Sequence, residues 1–276
     1  AVTPGDLSWE PVKSLADCTI YDHTCQEQVV ERAREADGIL INKVRVTREV
    51  LGELPRLKYI GELATGYNNI DLEAARERGI VVCNIPAYST DSVALHVFAL
   101  LLNVATRADH YARAVRQGEW SRQRDFCYWD TPLIELAGKT IGIVGLGNIG
   151  QRVAHIAHAM GMDISACTSR NSSDLPEWIR KTTLEGLLST SDVITLHCPL
   201  TAGNTRMINA GTLAMVHPGA ILINTGRGGL VDEQAINGLV YEPYVVKSGM
   251  STAANLREAF TESQLLSKEF QRAQVL

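Results

Sequence analysis

Thr140-Ile-Gly-Ile-Val-Gly-Leu-Gly-Asn-Ile-Gly150 decides the reading of this chain. Its first five residues form a short apolar run rich in β-branched side chains, the pattern of a buried strand. Gly145, Gly147 and Gly150 follow in the spacing G-x-G-x-x-G, and the stretch from Ile149 to Met160 has helical periodicity. Strand, glycine loop and helix in that order make a phosphate-binding turn. Gly145 permits the tight turn, Gly147 lets the backbone approach a pyrophosphate, and Gly150 lets the helix pack closely on the strand. Free amides and the helix dipole then hold the phosphates. Gly145, Gly147, Asn148, Ile149 and Gly150 are therefore expected to bind a dinucleotide.

Downstream, Asp163-Ile-Ser-Ala-Cys167 reads as the next strand. An acidic residue about 20 positions beyond the glycine loop would hold the ribose 2′-hydroxyl of NAD. The strand tip instead carries Thr168, Ser169 and Arg170, with no carboxylate among them. A guanidinium there suits a 2′-phosphate, which favours NADP over NAD. The competing reading leaves Arg170 as a solvated loop cation and gives the ribose to Asp174. Leu184–Ser189 reads as a helix, and Val193–Leu196 and Ala220–Asn224 as strands. Short apolar strands with helices between them describe a doubly wound parallel sheet of the Rossmann type.

Upstream lies a smaller α/β unit. Gln26–Ala36 reads as a helix, Gly38–Ile41 and Leu57–Ile60 as strands, Leu72–Arg78 as a helix stopped by Gly79, and Ile80–Cys83 as a strand. Ser89, Thr90 and Asp91 offer N-caps for a long helix through Val93–Val104, and a second helical stretch runs to Gly118. Residues 119–138 look irregular and concentrate Trp120, Phe126, Tyr128 and Trp129, so this loop is expected to pack on something, a second subunit included. For Trp129 itself, core packing is the favoured reading and reach into a neighbour's pocket the other. The expected division is a small α/β domain over residues 1–92, a dinucleotide domain over 93–248 and a C-terminal helix over 249–276.

Hydrophobic residues make up 45% of the 276 and charged residues 21%, the balance of a globular chain with a large core. A net charge of -5 offers no electrostatic footprint for nucleic acid. The six cysteines form no C-x-x-C pair and have no histidine at zinc-ligand spacing, so buried reduced thiols and no metal are expected. The most apolar stretch, Val93–Ala105, is interrupted by His96 and Asn103 and is too short to span a bilayer. No signal peptide is visible, so a cytoplasmic protein without a membrane partner is expected. The chain starts at Ala1 without Met, and an earlier true beginning is expected.

Three further stretches carry a family resemblance. Asn224-Thr-Gly-Arg-Gly-Gly-Leu-Val-Asp-Glu233 resembles the signature holding the active-site arginine of the D-2-hydroxyacid dehydrogenases. Leu63-Ala-Thr-Gly-Tyr-Asn-Asn-Ile-Asp71 resembles their substrate-carboxylate loop, and Leu196-His-Cys-Pro-Leu-Thr201 the loop lining their nicotinamide pocket. Phe126–Gly150 is similar to the glycerate dehydrogenase (hydroxypyruvate reductase) branch, and the resemblance runs from about residue 4 to residue 236. It implies a flavodoxin-like substrate domain beside the dinucleotide domain, a homodimer, and hydride transfer between NAD(P)H and a small 2-keto or 2-hydroxy acid. Arg227 would grip the substrate carboxylate and carbonyl with its planar fork. Amides around Thr65, Gly66 and Tyr67 would hold the other carboxylate oxygens. Lys43 would face the substrate, with an ordinary surface lysine as the equal alternative. His197, Cys198, Pro199, Thr225 and Gly226 would border the cofactor.

The pattern breaks towards the C-terminus. Carbonyl reduction needs a proton donor, and the family uses a histidine in a Pro-His after the arginine signature. This chain has no histidine after His217, which precedes Arg227. Gly238–Pro243 resembles a compressed remnant of the family's strand and Glu-Pro, on which Glu242 would be the active-site glutamate; Val245–Met250 resembles the next strand. Glu242 stands only 15 residues after Arg227, too few for a helix and a strand between them, and a turn glutamate is the favoured reading. Ser251–Val275 reads as a helix with an apolar stripe at Leu256, Phe260, Leu265 and Phe270, expected to return to the substrate domain as the family's last helix does. At the other end, the family's first strand is expected to be missing ahead of Pro4–Trp9. The chain is thus expected to be an enzyme of the family, the alternative being a catalytically impaired relative that binds nucleotide as sensor or scaffold.

Overall fold

The structure is a computed structural model that describes residues 8–237 and 244–247. By contact the chain divides into two compact units, one ending at Tyr88 and the other beginning at Ser89.

The first unit holds α1 (Glu10–Lys13), α2 (Val29–Ala33), β1 (Gly38–Ile41), α3 (Arg48–Gly52), β2 (Tyr59–Glu62), α4 (Leu72–Glu77) and β3 (Val81–Cys83). The strands form one parallel sheet in the order β1-β2-β3. Local chemistry sets the helix ends: Thr47 caps α3, and Asp71 caps α4 by accepting the Ala74 amide at 2.9 Å. Gly79, at φ +68°, turns the chain out of α4 as glycine at a helix end does. Ile41, Ile60, Leu51, Leu54 and Ala75 make the core on one face of the sheet. The second strand lies two residues later than the apolar run suggested. Leu57 is spent in a turn, its amide donating to Leu54, while Gly61 and the buried Glu62 carry the strand onward.

The second unit opens with α5 (Thr90–Thr106), α6 (Ala108–Arg116) and α7 (Glu119–Arg122). Six parallel strands follow: β4 (Thr140–Val144), β5 (Asp163–Cys167), β6 (Ile179–Lys181), β7 (Val193–Leu196), β8 (Ile221–Asn224) and β9 (Tyr244–Lys247). Between them run α8 (Asn148–Ala159), α9 (Leu184–Thr190), α10 (Ala210–Leu213) and α11 (Glu233–Asn237). The sheet order is β6-β5-β4-β7-β8-β9, so the chain winds one way from β4 to β6 and returns to wind the other way from β7. The switch point falls between β4 and β7, where ligands bind in folds of this kind. Ile141, Ile143, Ile194, Leu196 and Ile221 are fully buried, as strands covered on both faces require. Asp91 joins the first turn of α5 to Arg152 of α8 at 2.7 Å, and Ser89 rather than Asp91 takes the N-cap position.

Two expectations need correction. Trp129 is not a core side chain: it is 73% exposed, and Phe126 is 88% exposed. The loop is pinned instead through Asp130 and Thr131. His110 Nε2 lies 2.8 Å from the Asp130 carboxylate, and the Tyr111 hydroxyl 3.0 Å from that of Thr131. The six cysteines are unpaired, but Cys25, Cys83 and Cys127 are exposed and the other three only half-buried. Cys83 points to the open face of its three-stranded sheet, the side that also leaves Leu40 and Val81 in solvent. Among the described residues no single helix is long and apolar enough to cross a membrane. The pair α5 and α6 meets that test together but is bent by 62°.

Candidate active site

The carboxyl ends of β4, β5, β7 and β8 bring four expected segments to one edge of the larger sheet. The glycine loop leaves β4 with the Gly145 amide donating to the Cys167 carbonyl at 2.9 Å. Gly145 sits at φ +93°, and a Cβ there would stand 2.6 Å from the Cys198 nitrogen. The strand-end loop after β7 thus passes directly over the first glycine. A Cβ on Gly150 would collide with the Gly145 carbonyl, so close approach of helix and loop depends on its absence. Gly147 differs: no atom lies within 4 Å of its missing Cβ. Packing does not demand glycine there, and the open space at the head of α8 is a cradle a side chain would fill. No acidic side chain lies in the first turn of α8, so its dipole is left for an anion.

At the tip of β5, Thr168 Oγ1 accepts the Arg170 amide at 3.2 Å, with Ser169 between them. The Arg170 side chain is exposed. Asp174, the competing ribose ligand, accepts from Asn171 Nδ2 and Ser173 Oγ, both at 3.3 Å, within its own short turn.

After β7, the His197 amide donates to the Val144 carbonyl at 2.7 Å, and its Nε2 lies 2.9 Å from Oγ1 of the buried Thr195. Burial lowers the His197 pKa to about 4, so the imidazole is neutral near pH 7. Burial pushes the Cys198 thiol up. Asn204, which sequence reasoning passed over, fixes this loop: its Nδ2 donates to the Pro199 carbonyl and its Oδ1 accepts the Thr201 amide, each at 2.7 Å.

After β8, the buried Asn224 builds the turn that carries Thr225, Gly226 and Arg227. Its Oδ1 accepts the Gly226 amide at 3.0 Å, and its Nδ2 donates to the Arg227 carbonyl at 2.9 Å. Thr225 keeps a buried hydroxyl with no protein partner among the described residues, and Arg227 is half-buried. An orphaned hydroxyl at the same sheet edge as the open cradle fits a bound polar group such as a dinucleotide. Glu242 lies outside the described residues.

In the smaller unit, Lys43 follows β1 and Thr65, Gly66 and Tyr67 follow β2, so both segments stand at one edge of the same sheet. Lys43 is exposed with φ +68°, a left-handed conformation uncommon outside glycine. The loop from Leu63 is tied down at both ends. Thr65 Oγ1 donates to the Ile85 carbonyl at 3.0 Å, and Asn84 Nδ2 donates to the Thr65 carbonyl at 2.8 Å. Asn69 Nδ2 reaches both the Val44 carbonyl at 2.9 Å and the buried Glu62 at 2.8 Å. Glu62 and Asn69 are thus positioning residues that sequence reasoning missed, and a carboxylate at the end of an apolar strand was the available signal.

A glycine loop at the switch point of a doubly wound sheet defines a dinucleotide-binding unit. Comparison with known proteins narrows it: residues 98–243 match the model of the D-isomer specific 2-hydroxyacid dehydrogenase NAD binding domain. A hydroxypyruvate reductase of Blautia hydrogenotrophica is 39% identical over 257 residues, covering 92% of this chain and 80% of its own length. A glycerate dehydrogenase of Methylorubrum extorquens is 42% identical over 210 residues, covering 76% of this chain and 65% of its own length. Among solved structures, the D-lactate dehydrogenase of Aquifex aeolicus complexed with NAD and lactic acid superposes with a TM-score of 0.77 at 29% identity. That match covers 96% of this chain and 77% of the other. The chain belongs to the D-isomer specific 2-hydroxyacid dehydrogenase family. It is accordingly an oxidoreductase of that type with an NAD(P) cofactor.

Proposed function

We propose that this chain reduces a small 2-keto acid such as hydroxypyruvate or glyoxylate to the D-2-hydroxy acid, with NADPH preferred to NADH. The carrying observation is the turn that Asn224 builds after β8, which sets Arg227 beside the glycine-loop edge of the same sheet. The bound nicotinamide would supply a hydride to the substrate C2. The chain's own residues do the rest. Gly145, Gly147, Asn148, Ile149 and Gly150 hold the pyrophosphate, Thr168, Ser169 and Arg170 hold the adenosine ribose and its phosphate, and His197, Cys198, Pro199, Thr225 and Gly226 border the ring. Arg227 grips the carboxylate in a bidentate fork and polarises the carbonyl. Within the smaller unit, the 65–67 amides and Lys43 are the groups that suit a carboxylate. The first unit is then the substrate domain and the second the dinucleotide domain; the expected helix beyond residue 248 lies outside the described residues.

The relatives named for hydroxypyruvate and glycerate favour a two- or three-carbon substrate. The exposed Trp120, Phe126, Trp129 and Leu133 favour a homodimer, since apolar loop surface of this kind marks a subunit contact. The free thiols suit a reducing cytoplasm, and the net charge of -5 gives nucleic acid or an anionic membrane no attraction. One observation supports a second reading, a nucleotide-binding relative with little turnover: no histidine follows Arg227 in residues 228–276. Oxidation of NADPH by hydroxypyruvate and by glyoxylate, followed beside calorimetric cofactor titration without substrate, separates the two. Binding with turnover supports the enzyme, binding alone the second reading, and absence of binding in folded protein sinks both. Sedimentation velocity tests the dimer.

A further inference from the structure

The strand β6 was invisible in the sequence because two of its three residues are charged. It lies at the edge of the sheet beside β5, with Lys181 in register with Ala166 and the Thr182 amide donating to the Ala166 carbonyl at 2.9 Å. That pairing delivers Lys181 to the tip of β5. Its Nζ donates to the Arg170 carbonyl, and its charge is felt by the thiol of Cys167, the last residue of β5. Lys181 is exposed, so its ammonium meets solvent where the adenosine ribose would lie.

We propose that Lys181 is the second cation of a 2′-phosphate site, a specificity-determining residue that works with Arg170 to select NADP over NAD. The inference rests on the NADPH preference proposed above and extends it to a residue outside the strand tip. A phosphate dianion presents three acceptor oxygens. A guanidinium engages two of them in its plane, and an ammonium, a point charge with three donors, takes the third from another direction. The Arg170 carbonyl uses one ammonium donor and aims the others. Asp174 does not oppose this, since its carboxylate is turned to Asn171 and Ser173. Glu185 in the first turn of α9 is the nearby counter-charge, acting on the same Cys167 thiol as Lys181 does.

The test uses the full chain and two probes, 2′,5′-ADP and 5′-AMP, titrated by calorimetry against wild type, Lys181→Met, Lys181→Arg and Arg170→Ala. Wild type is expected to prefer 2′,5′-ADP. Lys181→Met is expected to weaken 2′,5′-ADP about tenfold, the scale of one charge-assisted contact, and to leave 5′-AMP within about twofold. Lys181→Arg is expected to restore most of the preference. Equal affinity of wild type for the two probes overturns the NADPH reading and this inference with it. A preference lost in Arg170→Ala but intact in Lys181→Met overturns the role of Lys181 alone. Equal loss of both probes in Lys181→Met, with a lowered Tm, makes Lys181 a loop anchor and likewise overturns the proposal.

Discussion

Asn224 holds Arg227 from behind: its side-chain amide donates to the Arg227 carbonyl at 2.9 Å while its oxygen accepts the Gly226 amide at 3.0 Å. The backbone that carries the guanidinium is closed by this one buried side chain. Asn224→Ala leaves both backbone groups without that partner, which costs about 1–3 kcal/mol of stability. Catalytic efficiency is expected to fall further than stability alone explains, because a fork misplaced by about 1 Å loses its near-attack geometry. Asn224→Asp keeps the acceptor and loses the donor, so it is expected to fall between wild type and alanine in kcat/KM. Wild-type kcat/KM in a folded Asn224→Ala protein would refute the linkage.

Two glycines of the same loop predict opposite phenotypes. Gly147→Val meets open space, so its Tm is expected to stay near wild type while NADPH binding is lost. Gly145→Ala meets the Cys198 backbone from a φ of +93°, so it is expected to destabilise the fold whether or not cofactor is present. Thermal melts with and without NADPH distinguish them. A Gly147→Val protein that melts early, or that still binds NADPH, would remove Gly147 from the phosphate cradle.

His197 gives the fold a pH dependence whose sign can be worked out. Its folded pKa of about 4 lies below the usual histidine value of about 6.5, so the unfolded chain takes up the proton first as pH falls. Stability is unaffected above about pH 6.5 and declines between there and about 4, by at most about 3 kcal/mol. His197→Gln removes the titration. Urea midpoints measured from pH 7 to pH 4.5 are expected to decline less steeply in the variant, and parallel declines would assign the acid sensitivity to other groups.

Much of this architecture was readable because buried parallel strands are nearly continuous apolar runs. β4, β5 and β7 fall where Thr140–Val144, Asp163–Cys167 and Val193–Leu196 predicted them. β6 escaped because an edge strand is bounded by solvent and tolerates Arg180 and Lys181, leaving Ile179 as its one apolar residue. β2 slipped by two residues because its last members are Gly61 and Glu62, a buried carboxylate that accepts from Asn69 of a later loop. Trp129 was misplaced because hydrophobicity alone cannot say whether a side chain packs on its own chain. Its neighbours Asp130 and Thr131, gripped by His110 and Tyr111, hold the loop without it. The glycine loop and Arg227 stood out by motif, whereas Asn204 and Lys181 in the same unit and Glu62 in the smaller one did not. Their contacts are with nearby loop residues, Asn204 with Pro199 and Thr201, Glu62 with Asn69 and Lys181 with Arg170, and no residue spacing marks such pairs in advance.

Reduction of the 2-keto acid places a hydride on C2 and needs a proton on the carbonyl oxygen. In the proposed reaction Arg227 would stabilise the developing charge there, but a guanidinium does not give up a proton near neutral pH. His197 is held neutral by burial, in contact with Thr195. Without a histidine in residues 228–276, water or a distant group must supply the proton, and loss of a general acid typically lowers the rate by about 10²–10⁴. Hydroxypyruvate reduction by residues 1–276 is therefore expected to be slow, while NADPH and oxalate still bind. Arg227→Lys is expected to abolish residual turnover and to weaken oxalate, since an ammonium cannot reproduce the planar fork. Stopped-flow NADPH oxidation and oxalate titration of the cofactor complex measure both. A kcat in the ordinary enzyme range of about 1–10³ per second would sink the prediction. Lys43 and His96 are then the residues to replace first, Lys43 for its place at the strand edge after β1 and His96 because burial lowers its pKa within α5.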